Sequence, residues 1–257
     1  MDLPPTIRRE QDGHIVTIIM DRPEAMNALT GEMVSALDAI FEDFNNDDDL
    51  WVAVLTGSGD KAFCSGFDLK ESVPRVLAGD MMGYEDPARR QFSDVYKPII
   101  AAVNGHCIAG GLEMLVGTDL RIAAEHATFS LGEVRWGLVP MGGSHIRLPR
   151  QLPWAIAMEL LLTGRSIDAT RAYQVGLLNR VVPLDDLMDA AHELAQTICR
   201  NGPLAVRTAK EIAVRALRQE DGFVLERELG SRVLASDDAK EGPAAFMEKR
   251  PPEFKGR

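Results

Sequence analysis

The centre of the chain reads Asn104-Gly105-His106-Cys107-Ile108-Ala109-Gly110-Gly111-Leu112-Glu113. An apolar run at 99–103 comes just before it and predicts a buried strand. The glycine pair then interrupts the apolar pattern, and a carboxylate follows two residues after it. We therefore predict a tight turn that leads into a helix beginning near Gly110.

The predicted helix start at Gly110 offers unpaired backbone N–H groups. The first N–H groups of a helix have no partner inside the helix, and the positive end of the helix dipole lies beside them. Because glycine has no Cβ, a ligand can approach its backbone closely. The Gly110 N–H is thus a candidate donor to an oxyanion, and Glu113 would point near the same place. The alternative is a turn in which the glycines serve only packing.

A second carboxylate follows the central stretch. A predicted strand pair at 121–124 and 128–130 leads to Glu133, and 133 − 113 gives a separation of 20 residues from Glu113. Two carboxylates that flank one compact unit suit acid–base chemistry. On the local sequence Gly132-Glu133-Val134-Arg135 alone, an exposed surface charge is the favoured interpretation.

Length and composition restrict the class of protein. The chain has 257 residues, and its hydrophobic content of 46% predicts one large globular domain or one domain with a helical appendage. The net charge of −11 argues against nucleic acid as the main partner, because phosphate binding depends on clustered basic residues. Cysteine spacing predicts no disulfide framework and no metal site, since the chain has no CxxC pair among Cys64, Cys107 and Cys199.

The sequence shows no signal for export or for membrane insertion. The first residues, Met1-Asp2-Leu3-Pro4-Pro5, lack a basic region and an apolar region of a signal peptide. No apolar run approaches the roughly 20 residues that a membrane-spanning helix needs. We therefore predict a cytoplasmic protein without a membrane partner.

Strand-like and helix-like segments alternate in the first half of the chain. Two β-like runs meet at Asp12-Gly13, which is a hairpin signal. The apolar run 50–56 predicts a buried strand, parallel because a helix precedes it. Gly66 followed by Asp68 predicts a second strand-to-helix turn with free N–H groups. Thr30 is a good N-cap for the first helix, whose apolar stripe predicts a core face made of Met33, Leu37, Ile40, Phe41 and Phe44.

The end of the first half is less regular, and helical patterns dominate the second half. Residues 71–90 are irregular, and a lid over a ligand is slightly favoured over a surface excursion. Residues 88–96 then predict a helix that leads to the central stretch. From Trp154 onward the pattern is almost wholly helical. The fold class is therefore α/β with a helical C-terminal subdomain, and we divide the chain into residues 1–195 and 196–257.

Several segments together resemble the enoyl-CoA hydratase/isomerase (crotonase) superfamily over essentially the full length of the chain. The first two read Arg22-Pro23-Glu24-Ala25-Met26-Asn27-Ala28-Leu29 and Phe63-Cys64-Ser65-Gly66-Phe67-Asp68-Leu69. Each segment is weak by itself, but their order and spacing are typical of the family. The others lie at 97–119, 133–143, 162–164 and 241–250.

The resemblance implies a fold, a substrate and an assembly. It implies a crotonase-like ββα spiral core, with residues 196–257 as a trimerisation subdomain. It also implies an acyl-CoA thioester substrate and a homotrimer, or a hexamer made of two trimers. Coenzyme A would be part of the substrate, so that no separate cofactor is expected.

The resemblance also implies roles for individual residues. Backbone N–H groups at Phe67 and Gly110 match the oxyanion hole that holds the thioester oxygen. Glu113 and Glu133 match the two catalytic glutamates of the hydratase branch, with Glu113 mainly activating water and Glu133 mainly delivering the α-proton, although nearby carboxylates titrate as a coupled pair. The predicted substrate-binding residues are Ala25, Met26, Ala28, Ser65, Gly66, Asp68, Leu69, Gly111, Trp136, Pro140 and Gly142.

Three departures from the family pattern affect the acyl pocket rather than the reaction. Phe67 stands where the family usually has a small residue, and Trp136 and His145 are bulkier or more polar than is common. We therefore predict an enoyl-CoA hydratase, a lyase of fatty acid metabolism. The alternatives are an enoyl-CoA isomerase or another enolate-forming crotonase enzyme, and a non-enzymatic acyl-CoA-binding protein.

Overall fold

The computed structural model of the protein describes residues 3–77 and 86–256. Two β-sheets form its centre, and most helices follow in the second half of the chain. The strands are β1 Ile7–Asp12, β2 Ile15–Met20, β3 Val52–Gly57, β4 Ala62–Cys64, β5 Ile99–Val103, β6 His106–Ile108, β7 Leu120–Ala124, β8 Thr128–Ser130, β9 Ile167–Asp168 and β10 Arg180–Val182.

The helices surround these sheets and extend the chain beyond them. No helix within the described ranges is both long enough and apolar enough to cross a membrane. Short 3-10 turns occupy Pro23–Ala25, Glu133–Trp136 and Leu184–Asp186. The α-helices are α1 Gly31–Asn46, α2 Leu69–Leu77, α3 Gly110–Leu115, α4 Ser144–Gln151, α5 Trp154–Thr163, α6 Ala169–Gln174, α7 Leu187–Cys199, α8 Pro203–Ala216, α9 Glu220–Leu234 and α10 Asp237–Met247.

Three successive strand pairs wind through both sheets. The larger sheet has the order β1-β2-β3-β5-β7-β10 and the smaller one β4-β6-β8-β9. Each pair, β3 with β4, β5 with β6 and β7 with β8, gives its first strand to the larger sheet and its second to the smaller one. The predicted strand pair before Glu133 therefore exists, but its two strands do not pair with each other. This winding stacks equivalent turns above one another along the smaller sheet.

The local signals of the N-terminal half are confirmed. The hairpin between β1 and β2 turns at Gly13, whose φ of 55° suits glycine. The Thr30 side chain accepts a hydrogen bond from the Met33 N–H and so caps α1. The predicted apolar stripe of α1 is buried throughout, and β3 runs parallel to both β2 and β5.

The apolar core lies on both faces of the larger sheet. On one face α7 packs its small residues, including Ala191, against Val52 and Ile100. On the other face α1 covers the larger cluster, which also contains the strands of the smaller sheet. Because α7 runs across position 195, the division of the chain at that point stays a prediction.

One predicted helix is wrong. Residues 88–96 form turns rather than a helix, and Phe92 has a φ of 65°, which a right-handed helix does not contain. Arg90 is buried there and donates to backbone carbonyls, so tertiary contacts override the local helical pattern. The predicted irregular segment 71–90 begins inside α2, and the part at 78–85, where a lid was predicted, lies outside the described residues.

Candidate active site

Two turns of the smaller sheet meet at the candidate site. Strands β4 and β6 run parallel, and the turn after β4 therefore lies beside the turn after β6. A Cβ on Gly66 would lie 2.9 Å from the Ala109 Cβ and 3.3 Å from the Gly110 nitrogen. A Cβ on Gly111 would overlap the Cys64 carbonyl oxygen. Glycines thus allow the two turns to approach to backbone contact.

The backbone of each turn is fixed by hydrogen bonds to neighbouring segments. Gly66 O accepts from Leu29 N–H and Asp68 N–H donates to Leu29 O, both at 2.8 Å, so the peptide around Phe67 is held from both sides. Helix α3 begins at Gly110, as predicted. No described residue accepts a hydrogen bond from the N–H of Phe67 or of Gly110. Two adjacent unpaired donors of this kind can hold an anionic oxygen.

The segment around Ala25–Leu29 lies along the first of these turns. Ser65 N–H donates to Met26 O at 3.1 Å, and Arg22 donates to Ala28 O at 3.2 Å. Arg22 also pairs with Asp68 at 2.6 Å, which ties both segments together. The structure therefore brings together the predicted substrate-binding residues Ala25, Met26, Ala28, Ser65, Gly66, Asp68 and Leu69.

Glu113 projects from the first turn of α3 and is buried, with 4% exposure. Its Oε1 accepts two hydrogen bonds, from Gly142 N–H at 2.6 Å and from the Ser144 hydroxyl at 2.8 Å. A Cβ on Gly142 would lie 2.8 Å from the Glu113 Oε2, so only glycine fits there without a shift. Gly142 was predicted at the site, whereas Ser144 was not.

Glu133 begins the 3-10 turn that follows β8. Its Oε2 is buried and accepts no hydrogen bond from any described residue. Burial raises the pKa of Glu133, and the neighbouring charge of Glu113 raises it further. The two predicted catalytic carboxyls are therefore close enough to interact electrostatically.

The two carboxyls differ in how well the protein stabilises their charged forms. Burial and the charge of Glu226 raise the pKa of Glu113, while the Ser144 and Gly142 donors lower it. Glu133 has an unpaired oxygen instead. Since like charges in one buried site disfavour double ionisation, the pair binds one proton strongly. The two hydrogen bonds to Glu113 favour its charged form, and Glu133 Oε2 has no such donor, so we expect the shared proton on Glu133.

The sequence profile of the family described as "Enoyl-CoA hydratase/isomerase" matches residues 10–257. The enoyl-CoA hydratase EchA19 of Mycobacterium tuberculosis is 43% identical over 258 residues, with 96% of each chain covered. The chain belongs to the enoyl-CoA hydratase/isomerase family.

Two further relatives agree with this assignment. The carnitinyl-CoA dehydratase of Proteus mirabilis is 42% identical, and the match covers 95% of this chain and 96% of the relative. A crystal structure of a carnitinyl-CoA hydratase from Mycobacterium avium superposes with a TM-score of 0.89 at 36% identity, covering 99% and 100% of the two chains. The predicted crotonase-like fold is thereby confirmed.

The remaining predicted substrate-binding residues lie in different surroundings. Gly111 packs against the Cys64 backbone and Pro140 is buried just before Met141. The Trp136 ring packs edge-on against Phe246 of α10, with 4.8 Å between ring centroids. The described contacts of Trp136 therefore lead toward the C-terminal helices rather than to the carboxyl pair.

The Phe67 ring lies beside Gly110 and also lines a cavity. Its ring atoms would lie 3.3 Å from a Cβ on Gly110, so the ring covers that glycine. It also lines a cavity of about 790 Å³ bounded by α1 and residues 86–95, and neither Glu113 nor Glu133 lines that cavity. Phe67 thus touches both Gly110 and this cavity, whereas the carboxyl pair does not line it.

Residues from distant parts of the chain complete the surroundings of Glu113. Glu226 of α9 and Arg90 were not predicted, since a glutamate on an amphipathic helix normally indicates only a solvated face. A signal for Ser144 exists in the small-residue run Gly142-Gly143-Ser144, which allows close approach to a neighbouring group. Among residues 3–77 and 86–256, no group of three or more His, Cys, Asp or Glu side chains could hold a metal ion.

We expect Glu133→Gln to change how the free energy of unfolding depends on pH. The pKa of Glu133 is raised in the folded protein, so the protonated carboxyl stabilises the fold. This stabilisation is complete at pH values below the pKa in the unfolded chain. It is lost as the pH rises through the pKa in the folded protein. Between about pH 6 and about pH 9 the free energy of unfolding of the wild type should therefore fall by roughly 1–3 kcal/mol more than that of the variant. Urea denaturation at both pH values measures this difference.

The control for this measurement is Glu125→Gln, which neutralises an exposed glutamate. It should follow the wild-type pH dependence. Parallel curves for the wild type and Glu133→Gln would show that the Glu133 carboxyl does not carry the extra proton.

Proposed function

We propose that this protein is an enoyl-CoA hydratase, a lyase that adds water across the 2,3 double bond of an enoyl-CoA thioester. The observation that carries the proposal is the pair of buried carboxyls of opposite character, one with two donors on Oε1 and one with an unpaired oxygen. Its relatives are named hydratase or dehydratase, and these names describe the two directions of one reaction. Both observations favour the hydratase over the isomerase.

The first step of the mechanism polarises the substrate. The thioester oxygen accepts hydrogen bonds from the N–H groups of Phe67 and Gly110, which no described residue uses. Negative charge moves onto this oxygen when a nucleophile attacks C3, and the two donors stabilise the resulting enolate. Each such donor typically contributes about 10²–10³ in rate.

The two carboxyls divide the proton transfers between them. The Glu113 carboxylate, whose Oε1 is held by Gly142 and Ser144, uses Oε2 to bind and deprotonate water. The water oxygen forms a bond to C3, and the Glu133 carboxyl delivers its proton to C2. Passing the proton gained by Glu113 back to Glu133 restores the starting state, so that the net change is the addition of one water molecule.

The substrate supplies the only cofactor that this mechanism needs, because coenzyme A is part of the thioester. The segments at 25–28 and 65–69 are proposed to hold the coenzyme A portion beside the oxyanion turn. Gly142, which contacts Glu113, is proposed to border the reacting part of the substrate, and substrate binding by Gly111, Trp136 and Pro140 stays a prediction. A cytoplasmic location stays a prediction.

We expect Glu113→Gln and Glu133→Gln each to lower kcat by about 10²–10⁴, because each removes one positioned acid–base group. Crotonyl-CoA hydration, followed by the loss of its conjugated absorbance, measures this, and product analysis distinguishes hydration from double-bond migration. Saturated acyl-CoA should still bind both variants. Glu125→Gln serves as the matched exposed control, and normal turnover in either active-site variant would remove that residue from the mechanism.

We expect Phe67→Ala to retain catalysis, because the substitution leaves the backbone N–H in place. Removing the ring joins the space above Gly110 to the neighbouring cavity, so the preference should shift toward longer or bulkier acyl groups. The measurement is kcat/KM over a panel of enoyl-CoA thioesters, with thermal melting in parallel and Phe67→Leu as an intermediate size. Unchanged preference in a folded variant would mean that the ring does not limit the acyl pocket.

We propose that the protein forms a homotrimer or a dimer of trimers through its C-terminal helices. Several large apolar side chains of α9 and α10 are exposed, including Leu225 at 54%, Leu229 at 46% and Met247 at 55%. Phe223 of α9, by contrast, is buried within its own chain at 2% exposure and does not belong to this surface. An exposed apolar face of this kind suits a subunit interface.

Light scattering at micromolar concentration tests the assembly. We expect the mass of a trimer or a hexamer, and Leu229→Glu should lower it because a charge in an apolar interface is unfavourable. A wild-type monomer at that concentration would contradict the proposal.

A further inference from the structure

We propose that Glu226, held between Arg90 and His145, is a positioning residue that fixes the loop 141–145, which includes the first two residues of α4, against the carboxylate of Glu113. This inference rests on the proposed function, because it gives Glu226 its role through the general base. It concerns a residue of α9 that does not belong to the carboxyl pair itself.

The loop 141–145 is the element that orients Glu113. Its Gly142 N–H and its Ser144 hydroxyl both donate to Glu113 Oε1, at 2.6 and 2.8 Å. These two bonds determine which carboxylate oxygen remains for water. A small displacement of the loop would therefore change both the orientation and the basicity of the carboxylate.

One buried ion pair holds both ends of this loop. Arg90 donates from Nε to the Met141 carbonyl oxygen at 2.7 Å, and its Nη2 lies 3.1 Å from Glu226 Oε2. At the other end, His145 Nδ1 lies 3.0 Å from Glu226 Oε1. The two oxygens of Glu226 thus connect to opposite ends of the loop, one through Arg90 and one through His145.

Packing leaves the loop little freedom between these two anchors. Gly143 has a φ of +103°, and a Cβ there would lie 3.1 Å from the Phe223 ring and 3.3 Å from Arg90 Cγ. A Cβ on Gly230, one turn beyond Glu226 along α9, would lie 2.7 Å from Met141 Sδ. Helix α9 therefore packs directly against the loop, and the Arg90–Glu226 pair holds the helix in one position relative to the loop.

The burial of this ion pair argues for a role beyond stability. The side chains of Arg90 and Glu226 are each only 2% exposed. Removing two charges from water costs about as much as their attraction returns, so buried pairs are a poor source of net stability. An arrangement that fixes one geometry is the best-attested use of such pairs.

Besides its contacts with the loop, Glu226 affects the pKa of Glu113 through its charge. The groups that face Glu226 are Arg90 from the 86–95 segment, His145 from α4 and Glu113 from α3. The negative charge of Glu226 raises the pKa of Glu113, and His145 lowers it. Removing the charge of Glu226 should therefore move the acidic limb of the pH–rate profile to lower pH, since Glu113 must be ionised to act as the base.

The first test uses His145, because its side chain is 35% exposed and its replacement leaves the Arg90–Glu226 pair intact. His145→Ala removes the anchor at one end of the loop and should lower kcat about 10- to 100-fold with little change in KM. His145→Asn keeps a donor near the position of Nδ1 and should restore most of the activity. Failure of Asn to rescue a defective His145→Ala would show that the hydrogen bond to Glu226 does not explain the loss, and would overturn the proposal.

The second test uses Glu226→Gln, with Glu228→Gln as the control on the same helix. Glu228 is exposed and pairs only with Arg232 among the described residues, so its replacement should leave kcat and the pH profile unchanged. Glu226→Gln should lower kcat and shift the acidic limb to lower pH. In a Glu113→Gln background it should have little further effect, because both act through one group. A lower melting temperature with unchanged kcat and pH profile would reduce Glu226 to a structural role.

The outcomes separate this inference from the proposed function. A wild-type enzyme that hydrates no enoyl-CoA thioester would contradict the proposed function itself. A wild-type enzyme that hydrates crotonyl-CoA while His145→Ala and Glu226→Gln retain its kcat and pH profile would contradict only the positioning role. Thermal melting of each variant confirms that the assayed protein is folded, and the His145 variants provide the comparison if Glu226→Gln does not fold.

Discussion

The contact between the turns after β4 and β6 is the constraint on which the site depends. No Cβ fits at Gly111 because the Cys64 carbonyl occupies its place, and Gly66 lies against Ala109 in the same way. This closeness places the N–H groups of Phe67 and Gly110 side by side. It also sets where α3 begins, and hence where Glu113 projects. A larger residue at either glycine would move the two turns apart and displace Glu113 from the N–H groups of Phe67 and Gly110.

Much of this arrangement could be predicted from local sequence. The glycine pair at 110–111, the Thr30 cap and the apolar stripe of α1 are short-range signals, and each appears in the structure as expected. The helix predicted at 88–96 does not form, because the side chain of Arg90 is buried and its tertiary contacts determine the backbone path of this segment. A local pattern cannot report a contact that another part of the chain imposes. Family resemblance supplied what periodicity could not, namely the pairing of Glu113 with Glu133.

The surroundings of Glu113 could not be predicted from the sequence. Ser144 lies in a run of small residues, which indicates close packing but not the partner. Glu226 stands in a helix of ordinary amphipathic pattern, and nothing near it along the chain indicates a buried carboxylate. Its environment arises from Arg90 and His145, which are distant in sequence. The chemical character of a buried charge is thus a property of the assembled fold.

The Arg90–Glu226 pair has a consequence for the order in which the protein is made. The two residues are 226 − 90 = 136 positions apart, and contacts of such large separation form late in folding. A ribosome releases the turns after β4 and β6 and both glutamates well before it releases α9. We therefore expect the growing chain to assemble its core first and to fix the orientation of the Glu113 carboxylate only when the last helices dock. Premature termination ahead of α9 would then yield a core that carries the glutamates but cannot use them.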